Sequence, residues 1–144
     1  MRVQECMSTD VCTISPDTPL RRAAEKMAER DLGSIPVAKN DRLVGMVTDR
    51  DIAIRGIGGG FGPEANAAEV MTREVLYCNA GDDVDAVLEN MASMQIRRLP
   101  VIDDDKQLVG IVSIGDLVKV QPADAGQCYA RVAEPSQLHS QSLT

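Results

Sequence analysis

Two short stretches of this 144-residue chain carry residue types that can hold a polar ligand: Gly45-Met46-Val47-Thr48-Asp49-Arg50-Asp51 and Gly110-Ile111-Val112-Ser113-Ile114-Gly115-Asp116. Each runs glycine, two apolar residues, a hydroxyl residue, two variable positions and an aspartate. Two readings use the same atoms. In the structural reading, Ser/Thr-x-x-Asp ahead of a helix is a cap: the hydroxyl bonds the N3 amide and the acid favours the first turn. Gly45 and Gly110 then mark a bulge or a close strand contact. In the functional reading, a helix N-terminus presents unpaired amides to a phosphate, and Thr48 or Ser113 adds a donor. Asp51 or Asp116, one turn on, accepts two hydrogen bonds from a ribose diol. Charge-assisted bonds of this kind contribute roughly 1.5–3 kcal/mol each, so a ribose is separated from a deoxyribose by about tenfold or more. The readings are compatible: a cap when empty, a ligand site when filled.

These stretches recur because the chain repeats itself. Met7 and Met71, Val11 and Val75, Glu25 and Glu89, Met27 and Met91, and Pro36-Val37 and Pro100-Val101 are paired at an offset of 64. After one extra turn residue the offset becomes 65, through Leu43-Val44-Gly45 and Leu108-Val109-Gly110 to Asp51 and Asp116. Copies of this length are too small to bury a sufficient core alone, which puts function where they face each other.

Each copy predicts the same order of elements. Val11-Cys12-Thr13-Ile14 and Val75-Leu76-Tyr77-Cys78 read as short strands. Thr18 with Pro19, and Asp82 with Asp83, supply an N-cap and a first helical position. Leu20, Ala23, Ala24 and Met27 then form one helical face, and Val84, Val87, Leu88 and Met91 the equivalent face. Ile35-Pro36-Val37-Ala38 and Leu99-Pro100-Val101-Ile102 lead through polar turns into Leu43-Val44-Gly45-Met46-Val47 and Leu108-Val109-Gly110-Ile111-Val112, hairpin-like in both copies. A second helix begins near Thr48 or Ser113. Each copy is therefore β-α-β-β-α, a three-stranded sheet with two helices on one side.

Composition narrows the function. Hydrophobic residues at 44% allow a real core, and aromatics at 2% leave Val, Ile, Leu, Met and Ala to fill it. A net charge of −7 opposes a nucleic-acid surface, and few aromatics means few stacking platforms. No segment approaches membrane-spanning length and none reads as a signal peptide, so the cytoplasm is the expected setting. Cys6, Cys12, Cys78 and Cys128 lack Cys-x-x-Cys spacing, so no metal site is expected; Cys78 reads as a small buried hydrophobe at a strand end. A Cys6–Cys12 disulfide stays open in an oxidising setting. The stretch Gly56-Ile57-Gly58-Gly59-Gly60-Phe61-Gly62-Pro63 lacks the lysine and hydroxyl of a phosphate loop and reads as a mobile linker. His139 reads as a surface residue of a polar tail. No catalytic triad or metalloprotease motif is present, and no catalytic residue is expected.

The duplicated unit, the Met7-Ser8 and Met71-Thr72 openings, the Pro-Val pairs and the Gly-apolar-apolar-Ser/Thr-x-x-Asp endings together resemble a tandem pair of CBS domains forming one Bateman module. The resemblance covers about residues 3–120 and is to the small stand-alone bacterial type, including stress- and hypoxia-response proteins. It implies a mixed α/β (α+β) fold of two β-α-β-β-α repeats related by pseudo-two-fold symmetry. Repeat one spans residues 3–58, a glycine-rich linker 59–66, repeat two 67–120 and a tail 121–144. It implies a non-enzymatic signal-transduction and energy-sensing module. Adenosine-containing ligands (AMP, ADP or ATP, with NAD and S-adenosylmethionine in the same class) would bind in clefts between the repeats. A homodimer and a regulated partner protein are implied too. Asp51 and Asp116 would hold the ribose, and Thr48 and Ser113 would approach the phosphate. Arg97 and Arg98 match phosphate-reaching positions, although as residues they also read as a solvated pair. Copy one has Gly33-Ser34 there, so its grip rests on Thr48 and Arg50, and the Asp116 site is favoured for a charged nucleotide. The rival readings are a structural or interaction module without a ligand, and a redox- or metal-responsive protein using Cys6, Cys12, Cys128 and His139.

Overall fold

The computed structural model describes residues 1–133. Helix α1 (Leu20–Arg30) buries Leu20, Ala23 and Met27. Helix α3 (Val84–Met94) buries Val84, Val87, Leu88, Met91 and Ala92. Both faces follow the i, i+3, i+4, i+7 spacing. Ala24, expected on the α1 face, is exposed. Its counterpart Leu88 is covered by a helix that the sequence reading did not expect, α5 (Pro122–Val132), which packs across α3 and the short α4 (Ile114–Val118). Ala125, Cys128 and Val132 of α5 enter the core there. The remainder of the tail, including His139, lies outside the described residues.

Sheet pairing follows the hairpins. Strand β1 (Ser34–Lys39) is antiparallel to β2 (Arg42–Thr48). Strand β4 (Arg98–Ile102) is antiparallel to β5 (Leu108–Ser113) and parallel to the two-residue β3 (Cys78–Asn79). The opening strands expected in each copy are thus much shorter than their apolar runs. In copy one the strand shrinks to a single bridge, Ile14 to Val37. Val11, Cys12, Val75 and Leu76 turn toward the space between the halves instead. Helix α2 (Asp49–Asp51) continues as a π-helical segment, Ile52–Ile57.

Helix entry also differs from expectation. Thr18 Oγ1 accepts the Ser15 amide at 3.0 Å, and Pro19 takes the N-cap position with no side-chain bond. The free amides of Leu20 and Arg21 donate to the carbonyls of Ala65 and Pro63, each at 2.9 Å. Returning backbone supplies the acceptors that a capping hydroxyl would otherwise give. The glycine-rich stretch is therefore bonded onto α1 and buries Gly56; it is no free spacer. In copy two the cap is Asp83, one residue later than expected, while Asp82 Oδ2 accepts the Asn79 amide.

The two halves trade their opening turns. Val3, in a 3-10 turn Val3–Glu5, lies in the core of α3, β4 and β5. Ala67 and Val70, from the equivalent turn, lie in the core of α1, β1 and β2. Just beyond each turn the chain bridges to the other copy's hairpin, Ser8 with Ile111 and Thr72 with Met46. Gly110 and Gly45 make this crossing feasible. A Cβ on Gly110 would stand 2.5 Å from Met7 Sδ and 2.9 Å from the Ser8 carbonyl; on Gly45 it would stand 2.6 Å from Met71 Sδ. Opposite these glycines the ladders slip register, at Val37/Ala38 and Val101/Ile102. Bulge and close approach occur together.

Candidate functional site

Thr48 and Ser113 occupy the same strand-to-helix junction in the two halves, and the cap is complete at both. Thr48 Oγ1 accepts the Asp51 amide at 2.9 Å while Asp51 Oδ2 accepts the Thr48 amide at 3.0 Å. Ser113 Oγ accepts the Asp116 amide at 3.2 Å while Asp116 Oδ2 accepts the Ser113 amide at 3.0 Å. Each carboxylate thus engages one oxygen in the box, and the other differs between the halves. Asp51 Oδ1 lies 3.9 Å from Arg55 Nε. Asp116 stands on a cleft wall, its Oδ1 outside the capping bonds.

Two clefts lie between the halves, sharing a wall of Ser34, Met46, Arg98 and Pro100. The larger, about 820 Å³, brings Thr48 and Arg50 from copy one together with Arg97 and Arg98 from copy two, and Thr72 and Glu74 close it. The smaller, about 240 Å³, brings Ser113 and Asp116 together with Ser8, Asp10 and Arg30 of copy one. Each cleft is therefore built from both copies. Arg97 lies with Thr48, not with Asp116; of the arginine pair only Arg98 reaches the Asp116 cleft. Asp51 is not on the wall of the larger cleft, where Asp49 is.

The charge balance follows. The larger cleft carries Arg50, Arg97 and Arg98 against Asp49 and Glu74. In the smaller, Arg30 and Arg98 meet Asp10 and Asp116, and Arg30 Nη2 is bonded to Asp10 Oδ2 at 2.8 Å. Arg97 also stacks on α5, with its guanidinium carbon 5.4 Å from the centre of the Tyr129 ring. Sequence reasoning missed Arg30, Asp10, Ser8 and Thr72. Ser8 and Thr72 were signalled by the repeated Met-Ser/Thr openings. Arg30 and Asp10 meet only through the fold.

The cysteines divide between the halves. Cys6 packs on the second core and Cys12 on the first, and all four thiols are free, so the two are not joined. Burial pushes the Cys78 thiol up to about 12, with the nearby Asp82 adding to the shift. Burial also raises Cys128, whose Sγ donates to the Leu88 carbonyl at 3.3 Å. Cys6 rises too, through burial and then the charge of Asp116. Among the described residues no three His, Cys, Asp or Glu side chains converge as metal ligands, and no helix is long and apolar enough to cross a membrane.

A fold of two crossed halves with paired clefts and capping boxes defines a class. The chain belongs to the CBS-domain family, whose model matches residues 3–56 and 67–123, and it is a CBS-pair regulatory module. It is similar to the CBS domain-containing protein YhcV of Bacillus subtilis, at 41% identity over 91% of this chain and 94% of that one. It is also similar to Hypoxic response protein 1 of Mycobacterium tuberculosis, 36% identical over 85% of this chain and 86% of that one. The crystal structure of Hypoxic Response Protein I with two coordinated zinc ions superposes with a TM-score of 0.75, covering 83% of this chain and 98% of that one. The CBS domain pair of protein MJ0100, in complex with 5-methylthioadenosine and S-adenosyl-L-methionine, gives a TM-score of 0.72 at 26% identity, over 85% and 97% of the two chains.

Proposed function

We propose that this CBS pair is a non-enzymatic sensor that binds an adenosine-containing nucleotide of the AMP, ADP or ATP class between its halves and passes occupancy to a regulated partner. NAD and S-adenosylmethionine belong to the same ligand class. A cytoplasmic homodimer is the working form in this reading. The observation that carries it is the convergence of Thr48, Arg50, Arg97 and Arg98 on one cleft of about 820 Å³, within the size range of small-molecule sites. Support also comes from the MJ0100 pair with its adenosine-containing ligands. Arginines supply the bidentate donors that phosphate oxygens accept. The phosphates of a nucleotide in this cleft sit among them; in the smaller cleft, a separate site, Asp116 Oδ1 accepts from a ribose.

Transmission runs through Arg97. Its contact with Tyr129 contributes roughly 0.5–1 kcal/mol at an exposed site, whereas charge-assisted bonds to phosphate contribute roughly 1.5–3 kcal/mol each. Phosphate wins, Arg97 leaves the ring, and α5 loses a tie to the segment that leads into β4. The ligand acts because it favours one of the two arrangements.

Calorimetric titration of the full chain with AMP and ATP tests the reading. Saturable heat is expected, with Arg97→Gln/Arg98→Gln weakening ATP tenfold or more. A hundredfold ligand excess over Kd adds about 2.7 kcal/mol to stability. Unchanged melting with AMP, ADP, ATP, NAD and S-adenosylmethionine, each at millimolar level, would end it.

A further inference from the structure

The duplication makes Ser34 and Arg98 counterparts, at the offset of 64. Each opens its hairpin opposite the capping hydroxyl, Ser34 paired with Thr48 and Arg98 with Ser113. Both stand on the wall that the two clefts share. With an arginine in each copy, each cleft could draw on its own. Here one arginine serves two clefts, and among the described residues no hydrogen bond or ion pair holds its guanidinium. The clefts depend on it unequally. In the larger, Arg50 and Arg97 stand beside it against Asp49 and Glu74. In the smaller, Arg30 is already bonded to Asp10, so Arg98 is the one uncommitted cation, among the described residues, that faces Asp116.

We infer that Arg98 couples the two clefts, with a sign set by the charge of the ligand. An anionic ligand in the larger cleft draws Arg98 to itself. The guanidinium presents its donors as one rigid plane, so turning it toward one cleft turns it from the other. The smaller cleft is then left with Arg30 against Asp10 and Asp116, an excess of negative charge. A second anion is disfavoured there and a cationic ligand is favoured. Linkage makes both effects reciprocal. The loss of one charge-assisted bond corresponds to about tenfold or more in affinity. A purely mechanical coupling through the crossed halves would move anionic and cationic ligands the same way; a shared arginine moves them oppositely.

Coupling of this kind rests on the nucleotide reading of the clefts, and a residue-resolved readout tells the two apart. The full chain, isotope-labelled, is titrated with AMP. Amide shifts at Thr72, Glu74 and Val75 follow the larger cleft, and those at Ser8, Asp10 and Ile111 the smaller. Arg50→Gln/Arg97→Gln cripples the larger cleft and keeps Arg98, so AMP should bind the smaller cleft about tenfold more tightly than in the unmodified chain. At AMP concentrations that fill only the larger cleft, S-adenosylmethionine, a net cation, should bind the smaller one about tenfold more tightly than without AMP. Arg98→Gln should make the two clefts independent, and Ser34→Arg, which gives each cleft an arginine, should do the same. Ser34 is half-buried, whereas Arg50, Arg97 and Arg98 are exposed, so the glutamine variants decide even where Ser34→Arg lowers the melting point. An AMP affinity of the smaller cleft that ignores Arg50→Gln/Arg97→Gln would overturn the coupling and leave the nucleotide reading standing. So would AMP in the larger cleft shifting AMP and S-adenosylmethionine in the same direction, or a coupling that survives Arg98→Gln. No shift in either set at millimolar AMP and S-adenosylmethionine would end the nucleotide reading and the coupling together.

Discussion

At Gly110 the chain has no room for a methyl group. Gly110→Ala would force a carbon against the Ser8 carbonyl at 2.9 Å and Met7 Sδ at 2.5 Å, and backbone cannot step aside as a side chain can. The expected cost is about 1–3 kcal/mol, read as a fall of several degrees in Tm. Gly45→Ala should cost less, because its nearest backbone atom, the Thr72 carbonyl, lies at 3.1 Å. Cys78 makes a pH prediction. Its folded-state thiol is raised to about 12 from the ordinary 9.0. Below pH 9 both folded and unfolded chains keep the proton, and the contribution is fully present. Above it the unfolded chain ionises first, so stability falls as pH rises toward 12. Thermal melts from pH 8 to 11 should show this slope, and Cys78→Ala should reduce it. Cys6 and Cys128 are shifted in the same direction and retain the rest.

At the scale of elements, α5 is the part whose removal says most. It contributes Ala125, Cys128 and Val132 to the second core and roofs Leu88 and Leu117. A chain ending at residue 121 should lose roughly 2–5 kcal/mol, visible as a lower denaturant midpoint. The opening turns predict an effect at a distance. Val3→Ala should cost about 1–3 kcal/mol and speed amide exchange in α3, which Val3 packs with, more than in α1. Val70→Ala should do the reverse, since Val70 belongs to the α1 core. Equal effects on both helices from either substitution would contradict the crossed packing.

For the molecule as a whole, the repeat in the sequence and the packing unit in space are out of phase. A fragment of residues 9–74 contains every buried residue of the first core, Ala67, Val70 and Met71 included, whereas residues 3–58 lack those three. Residues 9–74 should therefore show more helix and slower amide exchange than residues 3–58, both well below the full chain, since half the chain is too small to complete a core. Both cleft walls cross the same boundary, so neither fragment should bind a nucleotide that the full chain binds.

Periodicity and duplication settled much of this protein before any coordinates. The helix faces of α1 and α3, the hairpins, the capping boxes of Thr48 with Asp51 and Ser113 with Asp116, and Cys78 as a buried thiol are all local patterns. A 3.6-residue period or a three-residue cap is completed within a few residues of chain. What sequence could not decide was which copy each segment joins. Nothing in Met7-Ser8 says that it pairs with Ile111 rather than with Met46, because the two hairpins are near-copies and offer the same edge. That choice put Arg97 on one cleft with Thr48, brought Arg98 and Asp116 into the smaller cleft with the Arg30–Asp10 pair, and left one helix face covered by α5 and its twin open. Such partners are far apart in sequence, and only burial and the closing of the two cores together fix them.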